Sequence, residues 1–187
     1  MKKTIITILF FIACYLKAQQ NKNGVYLTFQ QYENSVLNYE TDCRHKRSIK
    51  LHELFNSSYI TVKSNKQKVK LKKDSIFAVQ FCDQPLIRFQ DRESYYLSEK
   101  GSVWIFYKEE RIYNAKFSSI HKRYFFSIEG KGILSSLTVS NLKYAFPSNQ
   151  KFHDMLDAYF TGEDASDYDS FYKTFKINHF LKNCSTN

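Results

Sequence analysis

The sequence predicts an α+β fold: an antiparallel β-meander of about six or more strands, curved or partly closed, followed by two or three C-terminal helices. Three observations predict it. In Lys68-Val69-Lys70-Leu71-Lys72 apolar and charged residues alternate strictly, the period of a strand with one face on the core and one in water. From about residue 59 to 129, short runs of aromatic and β-branched residues follow one another with connections too brief for helices, and strands joined that closely pair antiparallel. Beyond residue 138 the apolar spacing becomes i, i+3, i+4, i+7, which is helical. Sheet first and helices last is the α+β pattern.

Residues 1–18 read as a signal peptide. Lys2 and Lys3 precede an apolar run from Ile5 to Tyr15, and Leu16-Lys17-Ala18 supplies a small residue before the cut. The run is shorter than the roughly 20 residues a spanning helix needs, and no later stretch approaches that length, so no transmembrane helix is expected. Cleavage after Ala18 leaves residues 19–187, read as a single globular α+β domain of the periplasm or the medium, and lowers the net charge from +10 to +7. Phe11-Ile12-Ala13-Cys14 offers a competing cut that resembles the lipobox of bacterial lipoproteins, with Phe11 where that signal usually has Leu. Lipidation of Cys14, giving an outer-membrane lipoprotein, is the minor alternative.

In the mature chain, Val25-Tyr26-Leu27 is a short extended piece, and Thr28 with Gln31 forms a capping box that starts a short helix at Phe29. Polar Asn38 to Lys50 reads as loop. Strands follow at Lys68–Lys72, Ile76–Phe81, Pro85–Gln90, Ser94–Ser98, Ser102–Lys108, Arg111–Ser118 and Arg123–Glu129, with turns at Cys82-Asp83-Gln84-Pro85, Lys100-Gly101 and Glu109-Glu110. The helices occupy about 138–183. Val139, Leu142 and Phe146 form a stripe that Pro147 ends, and Ser148 caps a second helix with Phe152, Met155, Leu156 and Tyr159 inward. A last helix is expected from about Asp167, with Ser166 and Asp169 as its capping box and Tyr168, Phe171, Tyr172 and Phe175 packing inward.

A composition 43% hydrophobic and 17% aromatic excludes a disordered or collagen-like chain and is that of a well-filled core. Cys43, Cys82 and Cys184 remain after cleavage. An oxidising compartment allows one disulfide among their three pairings, and at least one of the three is expected to be a small buried apolar residue.

Several stretches resemble a group of secreted Gram-negative bacterial proteins of uncharacterised function. They are Gly24-Val25-Tyr26-Leu27-Thr28-Phe29, the strand run from Ile76 to Tyr107, and Asn141 through Pro147 followed by Lys151 to Ala158. The resemblance implies export and a shared fold and carries over no catalytic or binding residue. Where that group often has a His after the Tyr-Asp-Ser-Phe stretch, this chain has Tyr172.

Chemical motifs are sparse. His52-Glu53-Leu54-Phe55-Asn56 begins like a zinc-protease helix but has Asn56 in place of the second His. Cys43 and His45 sit among Arg44, Lys46 and Arg47, whose charge repels a metal. His153 and Asp157, at i and i+4, could touch, and an exposed helix pair is favoured over acid–base chemistry. Glu163, Asp164, Asp167 and Asp169 lack calcium-loop spacing and suit a helix N-terminus. No Gly-x-Ser-x-Gly elbow exists, and Gly130-Lys131-Gly132 lacks the rest of a phosphate loop, so no metal or cofactor is expected. Glu93, Glu99, Glu109, Glu110 and Glu129 keep open a hydrolase of envelope polysaccharide working through a carboxylate pair.

The favoured reading is non-enzymatic binding or interaction at the cell envelope. Lys63, Lys66, Lys68, Lys70, Lys72 and Lys73 form a basic patch suited to an anionic glycan, lipopolysaccharide or an envelope protein, nucleic acid being disfavoured. The plainer account of these lysines is protection of an exposed strand against edge pairing. The aromatics of Tyr95-Tyr96 and Trp104–Lys108 serve the sheet's core before any stacking role.

Overall fold

The computed structural model describes residues 22–44, 48–53, 56–64, 67–113 and 118–184. The proposed signal peptide, Cys14, His45, Lys46, Arg47, Leu54, Phe55 and Lys66 lie outside them. The fold is α+β and mostly antiparallel, with thirteen strands and four α-helices among the described residues, three of the helices C-terminal. It comprises two units, one up to Glu93 and one from Ser94.

In the first unit, strands β1 (Lys22–Tyr26), β2 (Asn38–Asp42), β6 (Ala78–Gln80) and β7 (Ile87–Gln90) pair antiparallel in the order β2-β1-β6-β7. A separate sheet joins β3 (Ile49–Lys50), β4 (Tyr59–Ser64) and β5 (Gln67–Lys72). Within the 59–129 region only β4 and β5 stand outside the expected sequential antiparallel run, because they pair with β3 instead. Polar Asn38–Lys50, expected as loop, contributes two strands. Asn38 to Asp42 lacks a strand's apolar alternation because both its faces stay partly exposed, and its pairing with buried β1 supplies the order.

Helix α1 (Phe29–Glu33) starts where the capping box predicts. Thr28 Oγ1 accepts the Gln31 N–H at 3.2 Å, while Gln31 Oε1 takes the N–H of Leu27, one residue before the cap. Cys43 and Cys82 form a disulfide with Cα atoms 5.8 Å apart. Buried Asn23 of β1 ties the same two segments, accepting the Cys82 N–H at 3.0 Å and donating to the Asp42 carbonyl.

The second unit contains β8 (Glu93–Glu99), β9 (Val103–Tyr113), β10 (Ser118–Ile128) and β11 (Ser135–Ser136), sequential and antiparallel. The turn expected at Glu109-Glu110 is absent and β9 runs through it. Glu109 lies opposite Lys122, and Glu110 pairs with Arg123 at 3.3 Å, so cross-strand charge keeps these acids in the ladder. After β10 the chain turns at Gly130, whose φ of +76° and whose approach to the Trp104 ring leave no room for a side chain.

Helices α2 (Val139–Ala145), α3 (Gln150–Tyr159) and α4 (Lys176–Cys184) close the core on Val103, Ile105 and Phe126 with Leu142, Phe152, Leu156 and Leu181. The cap of α3 is Asn149, which receives the Phe152 N–H, rather than Ser148. The final helix begins nine residues later than expected. Residues 168–175 form instead a hairpin of β12 (Tyr168–Asp169) and β13 (Thr174–Phe175). Of the four aromatics expected to pack inward, only Phe175 is buried. Asp169 is the cause, since its carboxylate accepts the N–H groups of Phe171 and Tyr172 and closes a turn where a capping box would open a helix.

Glu163 bonds the backbone N–H and hydroxyl of Ser140, in the first turn of α2. These bonds from the Ser140 hydroxyl and N–H hold its carboxyl below the ordinary 4.5, and backbone N–H donation holds Asp169 below 3.8. Both contributions are complete above the ordinary values and vanish as pH falls through the lowered ones. Glu163→Gln is therefore expected to lose stability at neutral pH and to show a shallower acid denaturation curve than the parent. Parallel curves in urea melts from pH 7 to pH 3 would contradict this.

Candidate functional site

The lysines converge through strand register. Alternation on β5 leaves Lys68, Lys70 and Lys72 exposed and Val69 and Leu71 half-buried, as the pattern predicts. Pairing then carries the same face across the sheet: Lys63 lies opposite Lys68, half-buried Tyr59 opposite Lys72, and buried Thr61 between Lys50 and Lys70. Directly opposed residues share a face. Ile49, Val62 and Val69 hold the other face, so the sheet is apolar beneath and lysine-bearing above. Lys50, Lys63, Lys68, Lys70 and Lys72 are all exposed, and among the described residues none has a carboxylate partner.

Tyr59, His52 and Thr61 lie among these lysines. The Lys70 ammonium sits 4.7 Å from the centre of the Tyr59 ring, the His52 and Tyr59 rings are 5.2 Å apart, and His52 Nε2 is 2.9 Å from Thr61 Oγ1. His52 has a φ of +54° and makes no metal-binding helix with Glu53. The sequence singles out His52 only as the start of a zinc-protease-like stretch, and Lys50 not at all. The signal that finds them is register, which no single strand's pattern contains.

Lys73 does not belong to this face. A 3-10 turn at Lys73–Ser75 breaks the strand period and turns the side chain inward, where it is 1% exposed. Its ammonium donates to the Arg92 carbonyl at 2.6 Å and lies 5.3 Å from the centre of the Phe89 ring. Burial lowers its pKa from the ordinary 10.5, with Glu53 and Glu93 partly offsetting. Asp91 and Arg92 both have positive φ, so Lys73 pins the tight β7–β8 turn from inside.

The remaining candidates are engaged by neighbouring groups. His153 bonds the Phe146 carbonyl and Asp157 pairs with Lys143, so the two do not form the expected pair. Glu99 accepts from the Thr174 hydroxyl, the Phe175 N–H and the Asn178 amide, Glu110 pairs with Lys108 and Arg123, and Glu129 with Lys131. Asp164 and Asp169 each close a turn. No group of three or more His, Cys, Asp or Glu suited to a metal occurs among the described residues. Cys184 is a free, half-buried thiol 3.7 Å from the Met155 sulfur, rather than a fully buried apolar residue. Tyr95 and Phe106 are in the core, whereas Trp104 is half-buried. An open depression of about 630 Å³ lies at the α2–α3 connection beside Cys184 and has Lys151 as its one charged lining residue among the described residues. No described helix is long and apolar enough to cross a membrane. The chain matches no family model, no curated protein and no solved structure.

Proposed function

We propose that the protein is an exported, non-enzymatic binding module of the cell envelope, and that the β3-β4-β5 face binds an anionic polymer, an acidic glycan or lipopolysaccharide. The observation that carries the reading is Lys63. Protecting an open edge calls for lysines on an edge strand, and β5 has them, but β4 is the central strand. Lys63 there stands directly opposite Lys68, a like-charge pair that weakens a sheet. Cations on all three strands, without a carboxylate partner among the described residues, lower the free energy of an approaching polyanion by releasing its counterions. The rings of Tyr59 and His52 add an apolar patch between the charges. Export is supported by the basic and apolar N-terminal residues and by the Cys43–Cys82 disulfide, a bond favoured outside the reducing cytoplasm. The resemblance to secreted Gram-negative proteins points the same way.

Binding of alginate and of lipopolysaccharide across a salt series tests this. Affinity is expected to fall linearly on a log–log plot against salt, with no binding to neutral dextran. Lys68→Glu/Lys70→Glu/Lys72→Glu changes only exposed side chains, so it is expected to fold while losing affinity at least ~10-fold and flattening the salt slope. Unchanged affinity and slope in the folded variant would exclude this face as the site.

A further inference from the structure

The β12–β13 hairpin presents a rigid aromatic tip that neither the core nor the lysine face accounts for. Phe171 is 83% exposed, Tyr172 58% and Tyr168 54%. These rings are held outward by their surroundings. Asp169 Oδ1 takes the N–H groups of Phe171 at 2.9 Å and Tyr172 at 3.1 Å, and the Tyr172 ring lies 4.3 Å from that of His179 on α4. A partner that covers Phe171 therefore has little loop ordering left to supply.

The geometry selects the partner. The Phe171 and Tyr172 rings stand at 88° to each other on a projecting turn, so they give no flat platform for a sugar ring and no groove for a helix or strand. A projecting tip bearing aromatic rings and a flexible cation suits the boundary between lipid headgroups and acyl chains, where rings settle and lysine stems snorkel. Charge agrees with this. The Asp169 carboxylate is turned back onto backbone N–H groups, while Lys173 is exposed and has no ion-pair partner among the described residues. We propose that this tip docks into an anionic lipid surface, with Phe171 entering the acyl boundary and Lys173 at the headgroups. The proposal stands apart from polyanion binding by the first unit and survives its failure.

The test reads position 171 locally, because the apolar residues 5–15 of the full chain can themselves bind lipid. The F171W variant of the full chain is mixed with phosphatidylcholine vesicles, with and without phosphatidylglycerol, whose acyl chains are brominated. Fluorescence is expected to be quenched well beyond the baseline of the parent, whose one Trp, Trp104, packs against Gly130. Adding Lys173→Glu is expected to raise the phosphatidylglycerol lipid concentration needed for half-maximal quenching about five-fold or more, one lysine's share of surface attraction. Both positions are exposed, so circular dichroism should match the parent. Quenching no greater than the parent's, or a half-maximal concentration on anionic vesicles that Lys173→Glu leaves unchanged, overturns the proposal.

Discussion

Replacing the disulfide with Cys43→Ala/Cys82→Ala is expected to cost the first unit about 4 kcal/mol, the loop-closure entropy of a ring of this size. The two cysteines are 39 residues apart, and between them the chain supplies β3, β4, β5 and β6. Opening the ring lets the unfolded chain expand, so the denaturant slope should rise along with the loss of stability. Asn23 keeps its bonds to the Asp42 carbonyl and the Cys82 N–H, so residual native structure is expected in the variant. A reductant should destabilise the parent by a similar amount and leave the variant unaffected. A parent insensitive to reductant would mean that the two thiols are not joined.

Asn178→Leu is expected to cost the second unit about 3 kcal/mol or more. Asn178 Oδ1 accepts the N–H of Val103, and its Nδ2 donates to the Val103 carbonyl and to Glu99. Val103 is fully buried, so leucine leaves a backbone donor and acceptor without partners, at roughly 1–3 kcal/mol each. Glu99 also holds the Thr174 hydroxyl and the Phe175 N–H, so loss of the amide loosens the start of α4. Amide exchange of Val103 and Phe175 should accelerate before exchange of Phe126 does. Asn178→Asp keeps an acceptor for Val103 but sets a second carboxylate against Glu99. Its defect should therefore shrink as pH falls into the carboxylate range, whereas the leucine defect should not. Equal pH dependence in the two variants would remove Glu99 from this account.

The parts of the fold legible in sequence are those where local pattern and tertiary environment agree. Strict alternation at 68–72, the Thr28 cap and the stop at Pro147 each express one local rule, and each occurs where that rule puts it. The failures are places where two rules compete. Tyr168, Phe171, Tyr172 and Phe175 have the spacing of a helical stripe, but Asp169 also fits a turn, and its bonds to the next two residues' N–H groups win. Glu109-Glu110 looks like a break until Lys122 stands opposite Glu109 and Arg123 reaches diagonally to Glu110. The candidate site divides the same way. Lys68, Lys70 and Lys72 follow from one strand's period, whereas Lys50 and His52 reach the face through pairing between distant segments. Lys73 belongs to the same run of charge and is removed from the face by one change of backbone helicity.

That removal makes Lys73 a chemical clock. Acylating reagents modify amines they can reach in the neutral form. In the native chain, Lys50, Lys63, Lys68, Lys70 and Lys72 are open to attack, while the Lys73 amine is enclosed and bonded to the Arg92 carbonyl. Its rate of modification therefore measures how often the β7–β8 turn opens, and the five face lysines supply the internal standard. A polyanion on the face would slow the five and leave the sixth at its own pace, so one labelling series separates occupancy from unfolding in the same molecule.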